Sequence, residues 1–182
     1  MTQARTYKRS DMKKLLITIL CAGTLTACIN DDKEEPREQD VIRVGQKLPQ
    51  FSVTTSDGTE ISTQTLLGRR SVAVFFNTTC PDCQRELPRI DSLYRAHQND
   101  ALFILVCIAR DQQAEPIQAF WEAKGLVMPY SPQTGRKVYE LFARSVIPRI
   151  YIASTDGVVR YMHDDQDMPT FQQLNDELES ID

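Results

Sequence analysis

Apolar positions fall along this chain in two rhythms, short unbroken runs and longer helical spacings. Ser71-Val-Ala-Val-Phe-Phe76 and Ala101-Leu-Phe-Ile-Leu-Val-Cys-Ile108 are nearly continuous runs rich in β-branched and aromatic residues. Such runs predict strands buried on both faces, and they are too short for ordinary helices. Phe51-Ser-Val53 and Glu60-Ile-Ser62 alternate instead. Ser56-Asp57-Gly58 between them predicts a hairpin turn, with glycine where φ can be positive. Asp156-Gly157 turns the chain into a further strand, Val158–Met162. In Ser145–Ile152, Pro148 enters a strand, an unusual place for a proline because it removes a ladder donor.

Helical spacing begins beside the first apolar run. Cys83, Leu87, Ile90, Tyr94 and His97 share one face, so a helix starts near Cys80, directly after a strand. Thr65–Gly68 predicts a short helical turn closed by glycine, and Pro116–Lys124 a helix stopped by Gly125. Gly135–Ala143 is predicted as a helix with Val138, Leu141 and Phe142 on its apolar side, and Thr170–Ser180 as the last one. Trp121 and Cys107 read as core residues, the cysteine as a small hydrophobe. No internal repeat is visible.

The strand-to-helix junction holds Cys80-Pro81-Asp82-Cys83. Pro81 suits the first helical turn, where its missing N–H would have been an orphan. Unpaired N–H groups and the positive end of the helix dipole favour a thiolate at that place. Cys80 is expected as the attacking thiol, with Cys83 resolving the mixed disulfide. A zinc site competes, but it needs four ligands, and neither His97 nor His163 lies at ligand spacing. A pair of inert buried cysteines is the other alternative. No metal or cofactor is expected.

The stretch from Ser71 to Pro88 resembles the active-site strand and helix of the thioredoxin superfamily, Pro88 matching the proline that kinks that helix. Residues 43 to 180, opening on Val44-Gly45 to Phe51, resemble the TlpA-like membrane-anchored thiol–disulfide oxidoreductases. The resemblance implies an α/β, thioredoxin-like fold, a central mixed β-sheet flanked by helices, with an N-terminal β-hairpin extension. It implies that Ile147-Pro148 is a cis peptide facing the thiols and that the Ile147 backbone pairs with the substrate chain. An edge-placed trans proline is the alternative. Arg149 departs from the small or polar residue often found there, an expected change in the substrate surface. Val74 stands where many thioredoxins carry a buried acid. Asp111 is the candidate proton acceptor in its place, although Arg110 fits that alignment position equally and Asp111 also suits an N-cap. Thr79 replaces the aromatic residue usual before the first cysteine.

The implied activity is reduction of protein disulfides by the Cys80–Cys83 dithiol, recharged by a membrane-embedded or soluble dithiol donor. A peroxiredoxin-like peroxidase fits the N-terminal region, but its Pro-x-x-x-Thr-x-x-Cys motif is absent: Ala73 and Asn77 precede Cys80 at those positions, and Phe76 and Cys80 precede Cys83. A non-catalytic envelope binding module with a static disulfide is the reading from another class. Pro81 and Asp82 both disfavour the Cys80 thiolate, by a lost donor and by a nearby negative charge, which points to a reductant.

Charge and the N-terminus bear on location. The 182 residues carry a net charge of −4, with nothing that suggests a nucleic-acid partner. Met12-Lys13-Lys14 and the apolar run after it form a compact signal, too short for a comfortable membrane span, and Met12 is a candidate start. Leu25-Thr26-Ala27-Cys28 resembles the lipobox of bacterial lipoproteins, in which the cysteine is acylated after cleavage; an uncleaved anchor is the alternative. Residues 29–40 hold six acidic and two basic residues, a solvated tether that also resembles the surface-export signal of certain lipoproteins. The expected organisation is a signal peptide over 1–27, a lipidated acidic tether over 28–42 and a thioredoxin-like domain over 43–182. The expected location is the cell envelope, lipid-anchored, facing the periplasm or on the outer-membrane surface.

Overall fold

The computed structural model describes residues 40–181. The expected signal, Cys28 and the tether as far as residue 39 lie outside the described residues. A hairpin of β1 (Ser52–Thr54) and β2 (Glu60–Ser62) leads into α1 (Thr63–Leu66). The chain then builds β3 (Arg70–Phe76), α2 (Pro81–His97), β4 (Phe103–Ala109), α3 (Ala114–Lys124), β5 (Tyr130–Ser131), β6 (Arg149–Ala153), β7 (Val159–His163) and α4 (Phe171–Glu179). One five-stranded sheet runs in the order β5-β4-β3-β6-β7. Its β5, β4 and β3 are parallel, whereas β6 and β7 are antiparallel to their neighbours.

The two apolar runs become the central pair. In β3, Val72 to Phe76 are buried on both faces, and β4 pairs with it from Arg70↔Phe103 to Phe76↔Ala109. One face receives α2 through Leu87 and Ile90, and α3 through Trp121, whose ring lies 5.0 Å from that of Phe76. Trp121 also donates its indole N–H to the Met128 carbonyl at 2.9 Å, so it is core, as expected. Phe75 meets Tyr139, Phe142 and Tyr151 in an aromatic layer. The helix α3 begins two residues before its expected start and closes on Gly125 in the left-handed region at φ 63°. His163 joins β7 to α4, its ring nitrogens meeting Asp167 at 2.9 Å and Glu177 at 2.7 Å. Burial works against its charged form, but the two carboxylates outweigh it and raise its pKa.

One expected element differs from the structure. The helix over Gly135–Ala143 is reduced to a 3-10 turn at Tyr139–Leu141. Gly135 sits at φ 98°, outside helical space, and the Phe142 carbonyl accepts the N–H groups of Val41 and Ile42 instead of extending a helix. Tyr139 and Phe142 face the core, while Leu141 is exposed. Ahead of β1, Asp40 is buried and bridges to Ala143.

Candidate active site

At the end of β3 the chain turns through Asn77, Thr78 and Thr79 before α2 begins. Asn77 Oδ1 accepts the Thr79 N–H at 2.9 Å, and the Asn77 carbonyl accepts the Cys80 N–H at 3.1 Å. Thr78 is held from both sides. Its N–H donates to Gln112 Oε1 at 2.9 Å, and its carbonyl accepts from Gln84 Nε2 at 2.7 Å. Cys80 is the N-cap of α2 and Pro81 its first helical residue, the arrangement the spacing predicted.

The two thiols differ in environment. Both are free; Cys80 is partly exposed and Cys83 is fully buried. Cys80 Sγ accepts the Cys83 N–H at 3.4 Å, one of the orphan donors of the helix start. Burial, reinforced by the hydrogen bond from Cys80, pushes the Cys83 thiol far above its ordinary value. Asp82 is ion-paired with Arg85, one turn on, which offsets the negative charge beside Cys80.

Opposite the thiols stands the loop before β6. The Ile147–Pro148 peptide is cis, and the Ile147 carbonyl accepts from Cys80 Sγ at 3.5 Å. The structure thus brings the Ile147–Pro148 peptide against the Cys80–Cys83 pair through the Ile147 carbonyl. Arg149 does not extend it outward. Its side chain is fully buried and ion-paired with Asp40 at 2.5 Å, so the expected change in the substrate surface is not made by this residue directly. Asp111 is exposed, and its Oδ1 accepts the Gly135 N–H at 2.8 Å.

A buried acid does lie on α2, the helix that carries the dithiol, rather than after β4. Glu86 follows Cys83 by about one turn and is 1% exposed. Burial raises its pKa, against the pull of Arg89 at 2.8 Å from Oε2. Its Oε1 has no hydrogen-bond partner among the described residues. The available signal was an acid inside the apolar stripe of Cys83, Leu87 and Ile90. Arg110, whose N–H donates to the Phe76 carbonyl at 2.8 Å, lowers the Cys83 value slightly by its charge.

The sequence profile of Redoxin matches residues 43–178. The chain belongs to the Redoxin family. The chain is 26% identical over 150 residues to the thiol–disulfide oxidoreductase ResA of Bacillus thuringiensis, covering 80% of this chain and 83% of that one. It is 23% identical over 111 residues to the sporulation thiol–disulfide oxidoreductase A of Bacillus subtilis, covering 60% and 67%. Among solved structures, StoA from Bacillus subtilis aligns with a TM-score of 0.59 at 24% identity, over 71% of this chain and 96% of that one. A thioredoxin-family thiol:disulfide interchange protein from Chlorobium tepidum aligns at 0.65 with 21% identity, over 76% and 97%. The fold is thioredoxin-like, and this Redoxin protein is a TlpA-like thiol–disulfide oxidoreductase of the thioredoxin superfamily.

Proposed function

We propose that the protein is a lipid-anchored reductase of protein disulfides, working outside the cytoplasm through Cys80 and Cys83. The observation that carries this reading is the asymmetry of the pair: a partly exposed sulfur at the helix start, facing the Ile147 carbonyl, with a buried thiol behind it. The Cys80 thiolate attacks one sulfur of a substrate disulfide, forming a mixed disulfide and releasing the other substrate sulfur as a thiolate that takes up a proton. Cys83 loses its proton and attacks Cys80 Sγ. The mixed disulfide breaks, the second substrate thiol leaves, and two electrons have passed from the dithiol to the substrate. A membrane-embedded or soluble dithiol donor reverses the change. We assign the proton from Cys83 to Glu86 rather than Asp111, because Glu86 is buried on the same helix face with one carboxylate oxygen unengaged. Activity in this sense is tested by insulin reduction with dithiothreitol, using the cysteine variants argued in the Discussion.

The reducing direction follows from the sparse stabilisation of the Cys80 sulfur. Pro81 supplies no N–H, and no Lys or His lies between the cysteines. A strong oxidant such as DsbA, at about −120 mV, depends on a stabilised reduced form; this dithiol is expected nearer thioredoxin's value of about −270 mV. Redox titration against glutathione measures it. A potential above about −160 mV would reverse the assignment to an oxidase.

The anchor rests on Leu25-Thr26-Ala27-Cys28 and the charged, apolar segment before it. The full-length protein expressed in a Gram-negative host is expected to incorporate labelled palmitate and to partition into the detergent phase. Cys28→Ala is expected to lose both properties completely. Equal labelling of that variant would place the anchor elsewhere or remove it.

A further inference from the structure

We propose that Tyr139 is a positioning residue for the substrate-binding loop, its hydroxyl holding the Ser145–Ile147 backbone so that the Ile147 edge stays open to a substrate chain. The proposal rests on the reading of Cys80, Ile147 and Pro148 given above and adds the group that holds this edge in place.

The loop needs holding because of Val146. It is the only non-glycine residue at positive φ among the described residues, at φ 54°. A β-branched side chain in the left-handed region is a steric outlier, and such outliers persist only where the surroundings over-determine them. The shortest contacts on this loop come from one hydroxyl, that of Tyr139. Tyr139 Oη donates to the Ser145 carbonyl and lies 2.7 Å from the Val146 carbonyl, so it spans both peptide oxygens around the strained residue. Arg149 Nε adds a longer hold on the Ser145 carbonyl at 3.4 Å. The next carbonyl along the chain, that of Ile147, is the one that meets Cys80 Sγ.

The ring of Tyr139 is fixed independently of its hydroxyl. It packs edge-on to Phe75 with centroids 5.5 Å apart. The guanidinium groups of Arg136 and Arg110 lie over it at 5.1 and 5.9 Å. Burial, opposed by the charges of the nearby arginines, keeps the phenol protonated as a donor at neutral pH. Tyr139→Phe therefore removes the hydrogen bonds and leaves the packing. Tyr151 provides the comparison: it is a buried tyrosine of the same layer whose hydroxyl donates to the Phe142 carbonyl at 3.2 Å and meets the Arg149 side chain, with Tyr139 making the contacts to the Ser145 and Val146 carbonyls.

The experiment compares a disulfide-bonded polypeptide, insulin, with hydroxyethyl disulfide, which has no chain to pair with the Ile147 edge. For Tyr139→Phe the insulin KM is expected to rise about fivefold to tenfold, with kcat within about twofold, the scale of one net hydrogen bond. The rate with hydroxyethyl disulfide should stay at the wild-type value, and Tyr151→Phe should match wild type with both substrates. Adding Val146→Gly to Tyr139→Phe should bring KM back toward wild type, since glycine adopts the left-handed conformation without the hold. The proposal is overturned by an unchanged insulin KM, by equal losses with both substrates, by the same rise in Tyr151→Phe, or by no recovery in the double variant. Insulin reduction that survives Cys80→Ser would instead remove the underlying reading, before any tyrosine variant is made.

Discussion

Cys83→Ser is expected to arrest the reaction at the mixed disulfide, and Cys80→Ser to stop it before any covalent step. Only the thiolate is nucleophilic towards a disulfide sulfur, and serine at pH 7 is neither ionised nor a disulfide partner. Insulin reduction should fall in both variants by a factor on the order of 10³ or more, the scale on which loss of a covalent nucleophile registers. The variants should then part company. Cys83→Ser keeps the partly exposed Cys80 sulfur, so it should accumulate a covalent adduct with substrate that dithiothreitol dissolves. Cys80→Ser leaves only a buried thiol, whose burial keeps it protonated, and should form no adduct. Non-reducing electrophoresis and mass spectrometry separate the two. An adduct on Cys83 in the Cys80→Ser variant would exchange the assigned roles, and full activity in either would end the dithiol reading. The trapped partner would also identify the substrate.

The parts of the site that sequence showed were those encoded locally. Ser71–Phe76 passing straight into helical spacing at Cys83 placed both thiols at a strand-to-helix junction, and Pro81 marked the first turn. Ile147-Pro148 was legible by resemblance, since a proline before a strand is rare enough to stand out. What sequence hid was set by distant partners. Gly135–Ala143 carries helical spacing, yet Val41 and Ile42 bind the Phe142 carbonyl and end the turn early, an interaction across about a hundred residues. Glu86 lies within the apolar stripe of α2, but only docking of that helix against the core shows that it is buried. Arg149 follows a proline expected to face substrate, and nothing near it in sequence announces a carboxylate. Its position in a strand does place it on the same face as Tyr151.

The buried Asp40–Arg149 pair should carry the largest stability effect of the ion pairs among the described residues. Its members lie 109 positions apart in sequence, and their side chains are 4% and 0% exposed. Arg149 Nη2 has no hydrogen-bond partner among the described residues, so the guanidinium depends heavily on the carboxylate for its compensation. Removing the carboxylate alone strands a buried cation, which costs about 3–5 kcal/mol, whereas an exposed pair is worth about 0–1 kcal/mol. Asp40→Ala is therefore expected to lower the urea midpoint by an amount equivalent to about 3 kcal/mol or more, with an unchanged slope. Replacing both residues with apolar ones of similar size, Asp40→Leu with Arg149→Met, should recover much of the loss, because no charge is left to desolvate. The double-mutant cycle thus separates the cost of an orphaned charge from the worth of the pair. A loss below about 1 kcal/mol in Asp40→Ala would mean that water reaches Arg149. Asp40 would then sit loosely against Arg149 rather than closing its guanidinium off from solvent.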